Sequence, residues 1–110
     1  MDKIKKYSSV VLEMLNEYKD VVNQIETYVL ADEKQHHFQV TESGWLDKDD
    51  YFFNVPIHIQ IKSDGKIWLL ENKTEDDLAE ILIAKGVLKS DIVLSFIPER
   101  VRKLSGYAVS

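Results

Sequence analysis

The sequence predicts an α+β domain in two layers: an antiparallel β-sheet meander packed by an N-terminal helix and a second helix, with a short C-terminal helix. Three observations carry the prediction. Apolar residues recur at spacings of three and four over residues 2–22, the period changes to two between Ile25 and Lys73, and Asp64-Gly65 sits between two apolar runs.

In the first segment Ile4, Tyr7, Val11, Met14, Tyr18 and Val21 fall on one face of a helix of roughly five turns, an apolar stripe that needs a sheet or a partner to bury it. Strands follow. Ile25, Thr27 and Val29 alternate with Glu26 and Tyr28, and Phe38 and Val40 alternate with Gln39 and Thr41. The charged stretches 32–34 and 46–50 lack periodicity and read as solvated connections, the second as the longer and looser loop.

Asp64-Gly65 predicts a two-residue type I′ turn. Counting outward pairs Ile61 with Trp68, Gln60 with Leu69, and His58 with Glu71, so Ile57, Ile59, Ile61, Trp68 and Leu70 share one face and His58, Gln60, Ile67 and Leu69 the other. That second face is a mixture of polar and apolar groups. It is explained either by a covering segment or by a binding surface.

Thr74 is placed to cap a second helix of about 12 residues, with Glu75, Asp76 and Asp77 in its first turn and Gly86 after its last. Ile92-Val93-Leu94-Ser95-Phe96 reads as a brief buried strand. Pro98 opens a terminal helix of two turns that carries Arg100, Arg102 and Lys103 and stops at Gly106.

Composition narrows the function. The 110 residues fit a single domain, 1–110, and 45% apolar with 30% charged residues is ordinary for a globule. The absence of cysteine removes disulfides, thiolate nucleophiles and cysteine-based metal sites. No apolar run approaches the roughly 20 residues that span a bilayer, and the N-terminus lacks the apolar core of a signal peptide, so the expected location is cytoplasmic. A net charge of −5 repels nucleic acid on average and makes DNA contact indirect unless a local basic patch overcomes it.

Chemistry is not visible. His36, His37 and His58 are the only candidate bases, no nucleophile motif accompanies them, and adjacent His36 and His37 would point to opposite faces of a strand. Gly44, Gly65, Gly86 and Gly106 are too dispersed for a phosphate loop. The acidic groups are accounted for by loops and a helix start. The expectation is no catalytic residue, no cofactor and no metal, and a surface for a macromolecular partner built from His58, Gln60, Ile67 and Leu69 or from Arg100 and Arg102. Self-association through the first helix is the rival use of its stripe.

With these residues in place, the chain resembles the XisI family, named after the fdxN element excision controlling factor of heterocyst-forming cyanobacteria. The resemblance rests on Met1-Asp2-Lys3 before a tyrosine-bearing helix, Gly44-Trp45, Ile57-His58-Ile59, Asp64-Gly65-Lys66-Ile67-Trp68 and Thr74-Glu75. It continues through Gly86-Val87, Asp91-Ile92-Val93-Leu94, Phe96, Pro98, Val101-Arg102-Lys103 and Gly106-Tyr107-Ala108-Val109. Family members often carry an acid where Gln60 stands, a threonine near Ser105, and an aspartate where Glu71-Asn72 stands, so no role of that carboxylate transfers. The resemblance implies a non-enzymatic controlling factor acting with an XisH-like, nuclease-like partner in regulated DNA excision by a separate recombinase. A direct DNA-binding accessory and an antitoxin-like regulator of the same partner are the alternatives.

Overall fold

The computed structural model describes residues 2–110; Met1, part of the motif at the start of the resemblance, lies outside them. Helix α1 (Asp2–Asn16) precedes strands β1 (Asp20–Val22), β2 (Ile25–Asp32), β3 (His37–Asp47), β4 (Asp50–Ile61) and β5 (Ile67–Asn72). Helix α2 (Leu78–Ala84), a 3₁₀ turn (Lys89–Asp91), strand β6 (Ile92–Leu94) and helix α3 (Glu99–Arg102) complete the chain. The strands form one sheet in sequence order. The first five make the expected antiparallel meander, whereas β6 lies parallel to β5, because a helix between two neighbouring strands supplies the crossover that parallel pairing needs.

Helices α1 and α2 cover one face of the sheet. Tyr7, Val11, Met14 and Leu15 of α1 and Leu78, Ala79 and Leu82 of α2 are buried against Phe38, Val40, Ile57, Ile59, Ile61, Ile67 and Leu69. Burying each large side chain contributes about 1.5–3 kcal/mol. That matters most for α2, whose seven residues are too few to hold a helix without packing.

Helix α1 is shorter than its apolar spacing implies. It stops at Asn16, and 3₁₀-type bonds from Glu17 N–H to the Met14 carbonyl and from Tyr18 N–H to the Leu15 carbonyl tighten its end. Val21 leaves the helical stripe for the edge strand β1 and is 67% exposed, in keeping with the β preference of the Val21-Val22 pair. Tyr18 turns away to donate its hydroxyl to Asp76.

The hairpin between β4 and β5 is displaced by one residue from its expected register. Ile61 pairs with Ile67, Gln60 with Trp68 and Ile59 with Leu69. A type I′ turn needs two residues at positive φ, and here only Gly65, at +87°, adopts one. The loop therefore widens to three residues, closed by bonds from Gly65 N–H to the Lys62 carbonyl and from Lys62 N–H to the Lys66 carbonyl. The single-residue slip exchanges the faces of β5: Ile67 and Leu69 enter the core, while Trp68 and Leu70 take the opposite side.

Other boundaries also move. Residues 46–50 form a tight turn with Asp47 paired to Asp50, not a loose loop. Asp77, not Thr74, caps α2 by accepting from Glu80 N–H, since the Thr74 hydroxyl already donates to Asn72 in the preceding loop. The terminal helix is one turn of four residues. Gly44 is required twice over: its φ is +153°, and a Cβ there would lie 1.9 Å from the Gln24 carbonyl oxygen.

Asp91 fastens α1 to the start of β6. Its carboxylate accepts from the Tyr7 hydroxyl at 2.6 Å and from the Lys3 ammonium at 3.0 Å, and the side chain is buried. Burial works to raise the Asp91 carboxyl, but the Tyr7 hydroxyl and the Lys3 ammonium outweigh it and hold the group below its usual value. The contribution is present above the unfolded value of 3.8 and is lost as pH falls through the lower folded value. Asp91→Ala leaves the buried Tyr7 O–H without an acceptor, though its oxygen still accepts from Leu88 N–H, and is expected to cost about 2 kcal/mol, with a lower Tm and a weaker acid dependence of denaturant stability.

Candidate nucleic-acid or protein interface: the helix-free sheet face

The register fixes what the helix-free face carries. Side chains alternate along each strand, so Glu26, Tyr28 and Leu30 of β2 share this side with His37, Gln39, Thr41, Ser43 and Trp45 of β3. From β4 come His58 and Gln60 and, beyond a bulge, Tyr51 and Phe53. On β5 a second bulge sets both Leu70 and Glu71 opposite His58, with Trp68 beside them.

Near the core this face is polar and internally bonded. His37 Nδ1 and His58 Nε2 are 3.0 Å apart, the Gln39 amide donates to Thr41 Oγ1 at 2.8 Å, and Tyr28 Oη lies 3.1 Å from Ser43 Oγ. The Trp68 ring has the Lys62 ammonium 3.7 Å from its centroid and the Arg102 guanidinium 5.6 Å away. Farther out the face becomes apolar: Leu30, Trp45, Tyr51 and Phe53 are each about half exposed or more, and Val21 continues the patch onto β1. Trp45 and Tyr51 pack edge to face with centroids 5.1 Å apart. The turn at its end carries Asp47, Asp49 and Asp50, which gives the aromatic patch an acidic border.

Of the residues singled out from sequence, His58 and Gln60 do lie on this face, half-buried. Ile67 and Leu69 do not. They are 0% and 2% exposed beneath the helices, so the mixed face expected around them does not exist, and Trp68 and Leu70 occupy the positions assigned to them. Arg100 is exposed, as a contact residue must be. Arg102 is not a free cation: its guanidinium donates to the carbonyls of Leu94, Ile97, Ser95 and Val109 and holds the C-terminal segment against β6.

The histidines also depart from expectation. His36 sits in the β2–β3 turn at φ +59°, so it is not an alternating strand neighbour of His37, and His37 pairs with His58 across the sheet. Among the described residues no group of three or more histidines, aspartates or glutamates could hold a metal ion. Asp76 and Asp77 are engaged by Tyr18 and the α2 cap. The outer aromatic patch was missed altogether, although Trp45, Tyr51 and Phe53 flanking one short acidic stretch at period two is a readable signal.

Two measurements test these assignments. Arg102→Lys removes a planar fork that a point charge cannot replace across four carbonyls, so it should destabilise the fold by about 2 kcal/mol and speed exchange of the Ala108 amide, which bonds to Ile92. Burial and the neighbouring His37 lower the His58 pKa from 6.5. The unfolded chain therefore binds more protons just below pH 6.5, and stability should rise with pH through that window and level off above it. His58→Gln should flatten the profile in thermal scans between pH 5 and 8.

The comparisons with known proteins agree with this architecture along the whole chain. The model of the XisI protein family matches residues 1–109. A solved XisI-like protein from Anabaena variabilis ATCC 29413 is 34% identical, with a TM-score of 0.89 over 97% of this chain and 99% of that one. A second solved structure, the fdxN element excision controlling factor XisI from the same organism, is 22% identical, with a TM-score of 0.81 over 98% of this chain and 99% of the other, and shows the shared fold. No curated protein is similar enough to match. With its family model matched from residue 1 to residue 109, the chain belongs to the XisI family.

Proposed function

We propose that this protein is a non-catalytic controlling factor in DNA element excision, acting in the cytoplasm by binding an XisH-like protein through the outer part of its helix-free sheet face. Family membership supports the excision role, since a solved relative is named as an excision controlling factor. The observation that carries the mode of action is the cluster of exposed Trp45, Tyr51 and Phe53 on one sheet face. Exposed apolar patches of this kind are where proteins bind one another, and aromatic side chains dominate the energy of such contacts. The acidic turn beside the patch fits a partner with an apolar centre and a basic rim.

Direct DNA binding is the weaker reading. Several cations that would approach phosphates are already engaged: Arg102 by carbonyls, Lys3 by Asp91 and Lys85 by Glu13. The net charge of −5 works in the same direction. No helix is long and apolar enough to cross a membrane among the described residues.

The test is co-expression with the XisH-like protein, followed by size-exclusion chromatography with light scattering and titration of the purified pair. A stable complex is expected, and Phe53→Asp and Tyr51→Asp should each weaken it roughly 30-fold or more, the scale of a loss of at least 2 kcal/mol at a hot spot. Arg100→Glu should matter less, as a rim residue. A complex untouched by Phe53→Asp would move the interface elsewhere. No complex at tens of micromolar would overturn the partner, and a dimer of this chain alone that Phe53→Asp dissociates would assign the face to a second copy.

A further inference from the structure

The helix-free face carries a second feature, set apart from the outer aromatic patch. His37 begins β3, and His58 lies toward the inner end of β4, roughly 15 Å along that strand from Phe53. His37 is opposite Gln60 and His58 is opposite Gln39, so the two histidines are diagonal neighbours on one side of the sheet. Their rings stand nearly perpendicular, at 88°, and His37 Nδ1 comes 3.0 Å from His58 Nε2. The expectation of no metal rests on His36 and His37, adjacent in sequence and unable to converge, whereas the fold joins His37 to a histidine 21 residues away.

The backbone behind this pair is fixed. Ile61 N–H donates to the His36 carbonyl at 2.9 Å, which ties the start of β3 to the end of β4, and the Asp32 carboxylate holds the preceding turn through Lys34 N–H and Gln35 N–H. Both side chains are half-buried, so their nitrogens face each other with little freedom left to lose. Imidazole is a ligand suited to zinc, copper and nickel alike. In the metal-free protein one ring donates its N–H to the lone pair of the other. Moving that proton to the second nitrogen of the donor ring frees a lone pair on each facing nitrogen with no proton lost, and the broad χ2 torsion of histidine lets the two converge.

The separation also selects the metal. Two nitrogens 3.0 Å apart, each about 2.05 Å from an ion, subtend about 94° at it. That is the angle between neighbouring ligands in square or octahedral coordination, whereas a tetrahedral ion would need them about 3.35 Å apart. Among the described residues no third histidine or carboxylate is placed to complete a triad, so the other positions fall to water.

We propose that His37 and His58 chelate a divalent transition-metal ion, copper(II) or nickel(II) in preference to zinc, in an open site completed by water. The site is independent of the excision reading and would stand if that reading failed.

Isothermal titration of the full chain, free of any affinity tag, with copper(II), nickel(II) and zinc chlorides at pH 7.5 tests it. Copper should bind at one equivalent with a micromolar Kd, and zinc at least about tenfold more weakly. His37→Gln and His58→Gln should each weaken copper binding at least about thirtyfold, while His36→Asn, which keeps a residue that tolerates positive φ, should leave it unchanged. Two readouts hold even if a histidine variant folds poorly. Copper should raise the Tm of the original chain, and its electron paramagnetic resonance spectrum should show coupling to two imidazole nitrogens. The proposal is overturned if copper fails to saturate the chain below about 100 μM, if zinc binds as tightly as copper, if the spectrum shows a single nitrogen, or if His36→Asn weakens binding as much as the other two.

Discussion

The length of the helices sets the terms for everything else. Fifteen residues of α1 extend about 22 Å at 1.5 Å per residue. The 12 residues of β4 extend about 40 Å at 3.3 Å each. A helix cannot cover strands nearly twice its length, and α2, at seven residues, adds a single short patch. The outer part of the sheet is therefore exposed on both sides, Val22 and Leu46 on the helix side as well as Tyr51 and Phe53 on the other, and the molecule stretches to 46 Å along its longest axis. An isolated antiparallel arm of this kind is held by its own ladder, and a glycine at position 44, where the β1–β2 turn crosses close above, lets that ladder form.

The covered part is bound together by tyrosine hydroxyls donating to carboxylates as well as by apolar packing. Tyr7 reaches Asp91, Tyr18 reaches Asp76, and Tyr107 reaches Glu80. In sequence these pairs are 84, 58 and 27 residues apart, so each joins elements that the chain brings together only on folding. Burial, followed by the neighbouring carboxylate, pushes Tyr18 and Tyr107 up to about 12, which keeps both as neutral donors across any physiological pH. The result is a firm base from which the aromatic arm projects.

Sequence reasoning reached the class, the meander and most of the core because these depend on periodicity, which survives small errors in boundaries. Phe38, Val40, Ile57 and Ile59 are where alternation places them. It failed at β5 because a face assignment depends on a single turn. Asp64-Gly65 offers one residue suited to positive φ and was read as two, and that difference sent Ile67 and Leu69 to the wrong side. Arg102 was misread for another reason: a cation on a short helix looks the same in sequence whether it meets phosphate or backbone carbonyls, and only the fold brings Leu94 and Val109 within its reach. The pairing of His37 with His58 needed the β3–β4 register, which no local signal encodes.

The β2–β3 turn and the helix-free face meet at two adjoining pairs of residues. His36 sits in the turn, and its neighbour His37 bonds to His58 on the sheet face; Gln60 lies opposite His37 by register, and its neighbour Ile61 donates its N–H to the His36 carbonyl. The Asp32 carboxylate accepts from Lys34 N–H and Gln35 N–H and so fixes the turn from which both pairs start.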